Sequence, residues 1–126
     1  MKENIPRNMF QLNGDSSALV IVWSSHDREI ALKTALAYTL NSKLNGWMQN
    51  VTLIVWGPSV ELLATDKEIQ NVLSSINQAG ITILVDKKCV EEYKLTKEIK
   101  ALNFEIKSMG KPFSDFIREK RTILTF

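Results

Sequence analysis

Three apolar, β-branched runs mark the first part of the chain. They are Ala18–Trp23, residues 51–56 and residues 81–85. Unbroken runs of this kind are typical of strands that are buried on both faces of a parallel sheet. The third run leads directly into Asp86 and Cys89, so it delivers the side chains of greatest chemical interest.

Helical patterns fill the segments between these runs. Residues 28–44 predict a long helix, which Ser25 or Asp27 can cap and which Asn45 and Gly46 end. Its predicted buried stripe consists of Leu32, Ala35, Leu36, Thr39 and Leu40. A helix in this connection favours a parallel pairing of the first two strands.

A second helical region follows the stop signal Gly57-Pro58. Residues 59–64 predict a short helix, and residues 65–68 predict a capping box in which Thr65 and Glu68 satisfy each other's backbone N–H groups. The helix that follows ends at Gly80, and its inward face is predicted to be Ile69, Val72, Leu73 and Ile76.

The last third of the chain repeats the strand and helix alternation. Asp86 is predicted to cap a helix that bears Cys89, Val90 and Tyr93, and residues 96–102 predict another short helix. Further elements are an edge strand at 104–107, a turn at 109–112, a helix at 113–119 with Phe113, Phe116 and Ile117 facing inward, and a strand at 122–126. Residues 1–17 lack periodicity and are interpreted as a loosely held arm.

Size and composition narrow the class of protein. The chain has 126 residues, a net charge of +2, one cysteine and one histidine. This length predicts one domain, and the balanced charge argues against binding to nucleic acid or an anionic membrane. One cysteine excludes an intrachain disulfide, and it argues with the lone His26 against a His/Cys metal cluster. No secretory signal or bilayer-spanning run is present, so we expect a soluble cytoplasmic protein.

Cys89 is the first candidate for chemistry. With Asp86 as the cap, it lies in the first helical turn, where free N–H groups and the neighbouring Lys87 and Lys88 favour a thiolate. The carboxylate of Asp86 opposes that effect. The alternative interpretation is that Cys89 is a small apolar residue packed under the helix and that Asp86 is only a cap.

Three further side chains are predicted to lie at the same edge of the sheet. His26 either moves a proton to the thiol or is simply solvated. Trp23 and Trp56 end neighbouring strands, where they line a pocket or pack against a partner subunit. The Ser24-Ser25 loop lacks the glycines of a phosphate-binding loop, and no dinucleotide motif is present, so no cofactor is expected.

Several segments form an ordered pattern along the chain. They are residues 56–63, the Gly80-Ile81 start of the third strand, residues 89–95, residues 109–113 and residues 122–126. As a set they resemble the DsrE/DsrF-like (sulfur-relay) family over residues 18–126. The resemblance implies a three-layer α/β/α sandwich, here with a five-stranded, mainly parallel sheet, that assembles into homo-oligomeric trimers or hexamers. Active members carry a persulfide on a cysteine after the third strand and pass sulfur to an acceptor protein.

The chain departs from the family pattern at one important position. Many members are similar in a segment of the form Cys-x-x-Cys-Ala-x-x-Tyr-Gly, which places Asp86 at the first cysteine, Cys89 at the second, Tyr93 at the tyrosine and Lys94 at the glycine. An aspartate cannot carry a persulfide. Two hypotheses follow: Cys89 carries the sulfur, with Lys87 and Lys88 stabilising its thiolate, or the chain is a non-catalytic member that binds a small ligand near Trp23, His26, Trp56 and Asp86.

Overall fold

The computed structural model describes residues 17–126, and the predicted arm, apart from Ser17, lies outside the described residues. The strands are β1 (Ala18–Trp23), β2 (Asn50–Val55), β3 (Thr82–Asp86), β4 (Glu105–Lys107) and β5 (Thr122–Thr125). They form a five-stranded sheet in the order β4-β3-β2-β1-β5. Every pair of neighbours is parallel, so the predicted mainly parallel sheet is confirmed.

Helices occupy all the connections between these strands. They are α1 (residues 28–44), α2 (Ser59–Thr65), α3 (Lys67–Gln78), α4 (Lys87–Glu92), α5 (Thr96–Ala101) and α6 (Gly110–Arg118). With helices on both faces of the sheet, the fold is a three-layer α/β/α sandwich. Within residues 17–126, no helix combines the length and the apolar character that crossing a membrane requires.

The order of the strands distributes the helices unequally between the two faces. From β1 to β4 the chain advances in one direction across the sheet, so right-handed crossovers place α1–α5 on one side, which we call the first face. The connection from β4 to β5 returns across the sheet, so α6 covers the opposite, second face. The first-face core includes Leu19, Ile21, Trp23, Leu53, Val55, Leu63, Leu73 and Val85. The second-face core consists of Val20, Val22, Ile54, Leu84 and Met109, with Trp56, Phe113, Phe116 and Ile123 packed against it.

Helix α1 differs from the regular helix that the periodicity predicts. Asp27 caps it as expected, but Ala31–Ala35 form a π-helical turn in which the Leu36 N–H donates to the carbonyl of Ala31. The extra residue in this turn rotates the following part of the helix relative to the preceding part. The buried positions are therefore Ala31, Ala35, Leu36, Thr39 and Ser42, whereas Leu32 and Leu40 are only half-buried.

Two predicted boundaries are wrong. Thr65 is not the cap of α3, because its hydroxyl donates to the carbonyl of Glu61 and thereby closes α2. Asp66 has the extended backbone of a cap instead, and its carboxylate accepts the N–H of Ile69. The predicted turn at 109–112 is the start of α6, where Pro112 is tolerated because first-turn N–H groups have no partner within the helix.

The inward face predicted for the last helix is also partly wrong. Phe113 and Phe116 pack against the second-face core, but Ile117 is 55% exposed. Because a single short helix covers this face, only a narrow stripe of α6 can contact the sheet.

Candidate functional site

Asp86 links three elements at the carboxyl edge of the sheet. It is the last residue of β3 and the cap of α4, as predicted, and its side chain accepts the N–H of Cys89 at 3.0 Å. Its other carboxylate oxygen accepts the N–H of Met109 at 3.0 Å. Because Asp86 is only 4% exposed, these bonds satisfy a buried carboxylate and fasten the start of α6 to β3.

Cys89 is the third residue of α4 and lies half-buried at the same edge. Its side chain packs against the first-face core. The N–H of Gly57, in the turn after β2, donates to Cys89 Sγ at 3.3 Å. The sulfur is thus held between the ends of two adjacent strands by one directed backbone donor.

The environment of Cys89 resolves the conflict of charges that the sequence left open. Burial raises the pKa of the Cys89 thiol, and the nearby carboxylate of Asp86 raises it further. The N–H of Gly57 acts in the opposite direction but is outweighed, so the pKa of the thiol lies above its ordinary value. Lys87 and Lys88 are exposed and do not lower it, so the prediction that they stabilise the thiolate is wrong.

His26 lies in the loop after β1, as predicted, but its contact is with a different group. Its Nε2 is 3.1 Å from Oε1 of Glu61 on α2, and about half of each side chain is exposed. The partner that this geometry gives His26 is therefore a surface carboxylate rather than Cys89. The predicted proton transfer from Cys89 to His26 is not supported by these contacts.

Trp23 and Trp56 do not line one pocket, so that prediction is wrong. Trp23 is fully buried in the first-face core, and its Nε1 has no hydrogen-bond partner among the described residues. Trp56 is half-buried on the second face, where its ring meets Phe113 edge to face at a centroid distance of 5.3 Å. The two side chains point to opposite faces because Trp23 is in register with Val55, the residue before Trp56, and side chains alternate along a strand.

The loop after β1 uses its backbone donors internally. The N–H groups of Ser24 and Ser25 both donate to the carbonyl of Phe126, at 2.6 and 3.2 Å, and the hydroxyl of Ser24 donates to the same oxygen. The hydroxyl of Ser59 donates to the carbonyl of Trp23 at 2.5 Å. These donors are therefore already engaged, unlike those of a phosphate-binding loop.

The sequence reasoning missed two residues of the site, Gly57 and Met109. Gly57 was interpreted only as a strand stop, but its φ of +79° directs its N–H toward Cys89. A glycine directly after a buried strand is a signal for such a close backbone approach. The contribution of Met109 is a backbone N–H, which no side-chain pattern identifies.

The largest cavities described lie at the amino edge of the sheet, opposite to Cys89. One has a volume of about 530 Å³ and is bordered by Lys43, Asn50, Thr52, Gly80, Thr82 and Arg121. A second, of about 360 Å³, lies between the starts of β3 and β4. Both are lined mainly by polar groups, and neither contains a residue that the sequence singled out.

Comparison with known proteins adds one relative. No protein-family model matches the chain, and no curated protein matches it. A solved structure, the conserved protein of unknown function BT1422 from Bacteroides thetaiotaomicron, matches with a TM-score of 0.84 and 30% sequence identity, over 87% of this chain and 95% of that chain. This chain belongs to the same family as BT1422. The match extends across nearly the whole fold, and it carries no statement of activity.

Proposed function

We propose that this chain is a DsrE/DsrF-like protein that accepts sulfane sulfur as a persulfide on Cys89. The observation that carries the proposal is the 3.3 Å contact from the Gly57 N–H to Cys89 Sγ. It lies at the carboxyl edge of a parallel sheet, which is where α/β folds bind their ligands. A fixed N–H donor there stabilises negative charge on sulfur, in a thiolate or in a persulfide.

The backbone at Lys94 also supports the resemblance. Lys94 has a φ of +59°, and the Leu95 N–H donates to the carbonyl of Val90, which closes the end of α4. This left-handed conformation is the one that glycine adopts most easily, and the family pattern has a glycine at this position. Lys94 thus keeps the backbone conformation that the pattern implies without keeping the residue.

The proposed step is a nucleophilic substitution at sulfur. The Cys89 thiolate attacks a sulfur atom of an inorganic polysulfide, a new S–S bond forms, and the polysulfide S–S bond breaks with its electron pair leaving on a shorter polysulfide anion. Transfer reverses these roles: an acceptor thiolate attacks the outer sulfur and Cys89 leaves as a thiolate. The exposed Lys87 and Lys88 give the approach positive charge, which favours encounter with an anionic donor.

The raised pKa of Cys89 sets the pace of this step. Only the thiolate attacks, and burial and Asp86 keep most of the thiol protonated at neutral pH. The proposal is therefore a slow acceptor or store of sulfur in a homo-oligomeric, cytoplasmic protein, where a reducing environment keeps a lone thiol free.

A second candidate is a non-catalytic member of the family. It is favoured by Asp86, whose two oxygens are both engaged by backbone N–H groups, and by the packing of Cys89 against the first-face core. In this case Asp86 and Cys89 are structural, and the function lies in ligand binding or assembly.

Intact-mass spectrometry after brief exposure to polysulfide distinguishes these candidates. We expect the wild type to gain the mass of one or more sulfur atoms, to lose it with reductant, and to gain it faster as the pH rises. Cys89→Ser is the matched control, because it removes the nucleophile and keeps a side chain of similar size. An unmodified wild type that is folded and reduced at every pH tested would exclude sulfur acceptance by Cys89.

A further inference from the structure

The two edge strands of the sheet differ in chemistry. β4 consists of Glu105–Lys107, so charged residues flank Ile106. Short, charged edges are a common protection against pairing with another chain. β5 (Thr122–Thr125) carries no charge and no proline, and Leu124 is 38% exposed. Among residues 17–126, β5 pairs only with β1, which leaves its outer edge open.

The backbone of β5 has a defined set of outward-facing groups. The Phe126 N–H donates to Val22 at 2.8 Å, and the carbonyl of Phe126 accepts the Ser24 N–H, so both polar groups of Phe126 face β1. Hydrogen-bonding direction alternates along a strand. The groups of Leu124 therefore also face β1, and the N–H and C=O groups of Ile123 and Thr125 point away from the sheet.

We propose that β5 pairs antiparallel with β5 of a second copy of this chain, about a two-fold axis through Leu124. In this register Ile123 of one copy lies opposite Thr125 of the other, and the outward N–H and C=O groups of both residues form four hydrogen bonds across the axis. Leu124 meets its own counterpart in a non-hydrogen-bonded pair, in which side chains approach most closely. The two sheets become one ten-stranded sheet.

The charges near β5 fit a second copy of the same chain. Residues 122–126 contain no ionisable side chain, so no like charges face each other within the paired segment. The nearest charge, Arg121, lies at opposite ends of the pair in the two copies. It is also already engaged, with Glu119 at 3.2 Å and with the ring of Phe116. The exposed Ile117 on α6 supplies further apolar surface just before the strand. A two-fold axis requires such a self-complementary patch.

Sedimentation equilibrium of the wild type and three variants tests this pairing. Leu124→Lys places two like charges on the axis, and Thr125→Pro removes an outward N–H at a position where an edge strand tolerates proline. Leu44→Lys is the matched control, because Leu44 is 64% exposed on another surface. We expect a wild-type dimer, or an even-numbered assembly that contains this contact, and a dissociation constant raised at least about tenfold by both β5 variants. Leu44→Lys should leave it unchanged.

Hydrogen exchange of individual amides gives a second readout that does not depend on a variant folding. In the assembled wild type, the Ile123 and Thr125 amides should be protected, and this protection should fall on dilution while that of Leu124 and Phe126 persists. A monomer at high concentration, a trimer, an assembly that only Leu44→Lys disrupts, or fast exchange at Ile123 and Thr125 in the assembled protein would each overturn the proposal. None of these readouts depends on sulfur chemistry at Cys89, so the two proposals succeed or fail separately.

Discussion

The two faces of the sheet place the same residue type in opposite situations. Trp23 ends β1 and is fully buried in the first-face core, beneath helices from three crossovers. Trp56 follows β2 and is half-buried on the second face, where α6 is the covering helix among residues 17–126. The difference teaches that the direction in which the chain crosses the sheet, rather than residue hydrophobicity, decides how deeply a strand-end side chain is buried.

The largest effect is expected from Trp23→Ala. It removes a large, fully enclosed side chain from the first-face core, and we expect the free energy of unfolding to fall by about 3–5 kcal/mol. Urea denaturation monitored by circular dichroism measures the change. Trp23→Phe is the control, because it keeps a ring and removes the unpartnered Nε1, so its loss should be clearly smaller. Equal losses for the two variants would contradict this account of the core.

An intermediate effect is expected from Asp86→Ala. It leaves the buried N–H groups of Cys89 and Met109 without partners and releases the start of α6 from β3. We expect a loss of about 2 kcal/mol in the free energy of unfolding. Asp86→Asn retains one acceptor oxygen and should lose less. A wild-type midpoint for Asp86→Ala would show that the second face does not depend on this carboxylate.

A smaller loss is expected from Trp56→Ala. Part of this side chain remains in water, and its edge-to-face contact with Phe113 joins only one helix to the sheet. We expect the free energy of unfolding to fall by about 1–2 kcal/mol, less than for Trp23→Ala in the same denaturation experiment. If the Trp56 variant were the less stable of the two, the second face would be the main core, contrary to the structure.

The smallest effect concerns the junction where the two faces meet, and it is read as a rate. Burial and Asp86 raise the pKa of the Cys89 thiol, so its alkylation by iodoacetamide should accelerate with pH into the region above the ordinary thiol pKa. Asp86→Asn removes a negative charge beside the sulfur, which lowers the thiol pKa and should speed alkylation at neutral pH. A wild-type rate that is already constant from pH 7 upward would show that the thiol pKa is lowered instead.

Much of the fold follows from the sequence alone. The continuous apolar runs identify the buried strands, because a strand covered on both faces has no polar side, and the helices between them require parallel pairing. Asp27 and Asp86 were correctly identified as caps, because a carboxylate directly before a helix satisfies free N–H groups. The edge position of β4 follows from its alternating pattern, in which one face is polar.

The tertiary structure decided the features that depend on which elements meet. Adjacent candidates such as Thr65 and Asp66 compete for one cap, and the end of α2 settled the choice. The π-helical turn at Ala31–Ala35 also gives no signal in the local pattern.

The site depends on such long-range contacts throughout. Sequence places Asp86 and Cys89 one helical turn apart, but the thiol pKa also depends on burial and on the N–H of Gly57, which is 32 residues away along the chain. Desolvation and close backbone contacts arise only when separate strands and helices pack together. A single sequence therefore predicts which groups stand at the edge of the sheet, and the packed fold determines their protonation and the face on which each one lies.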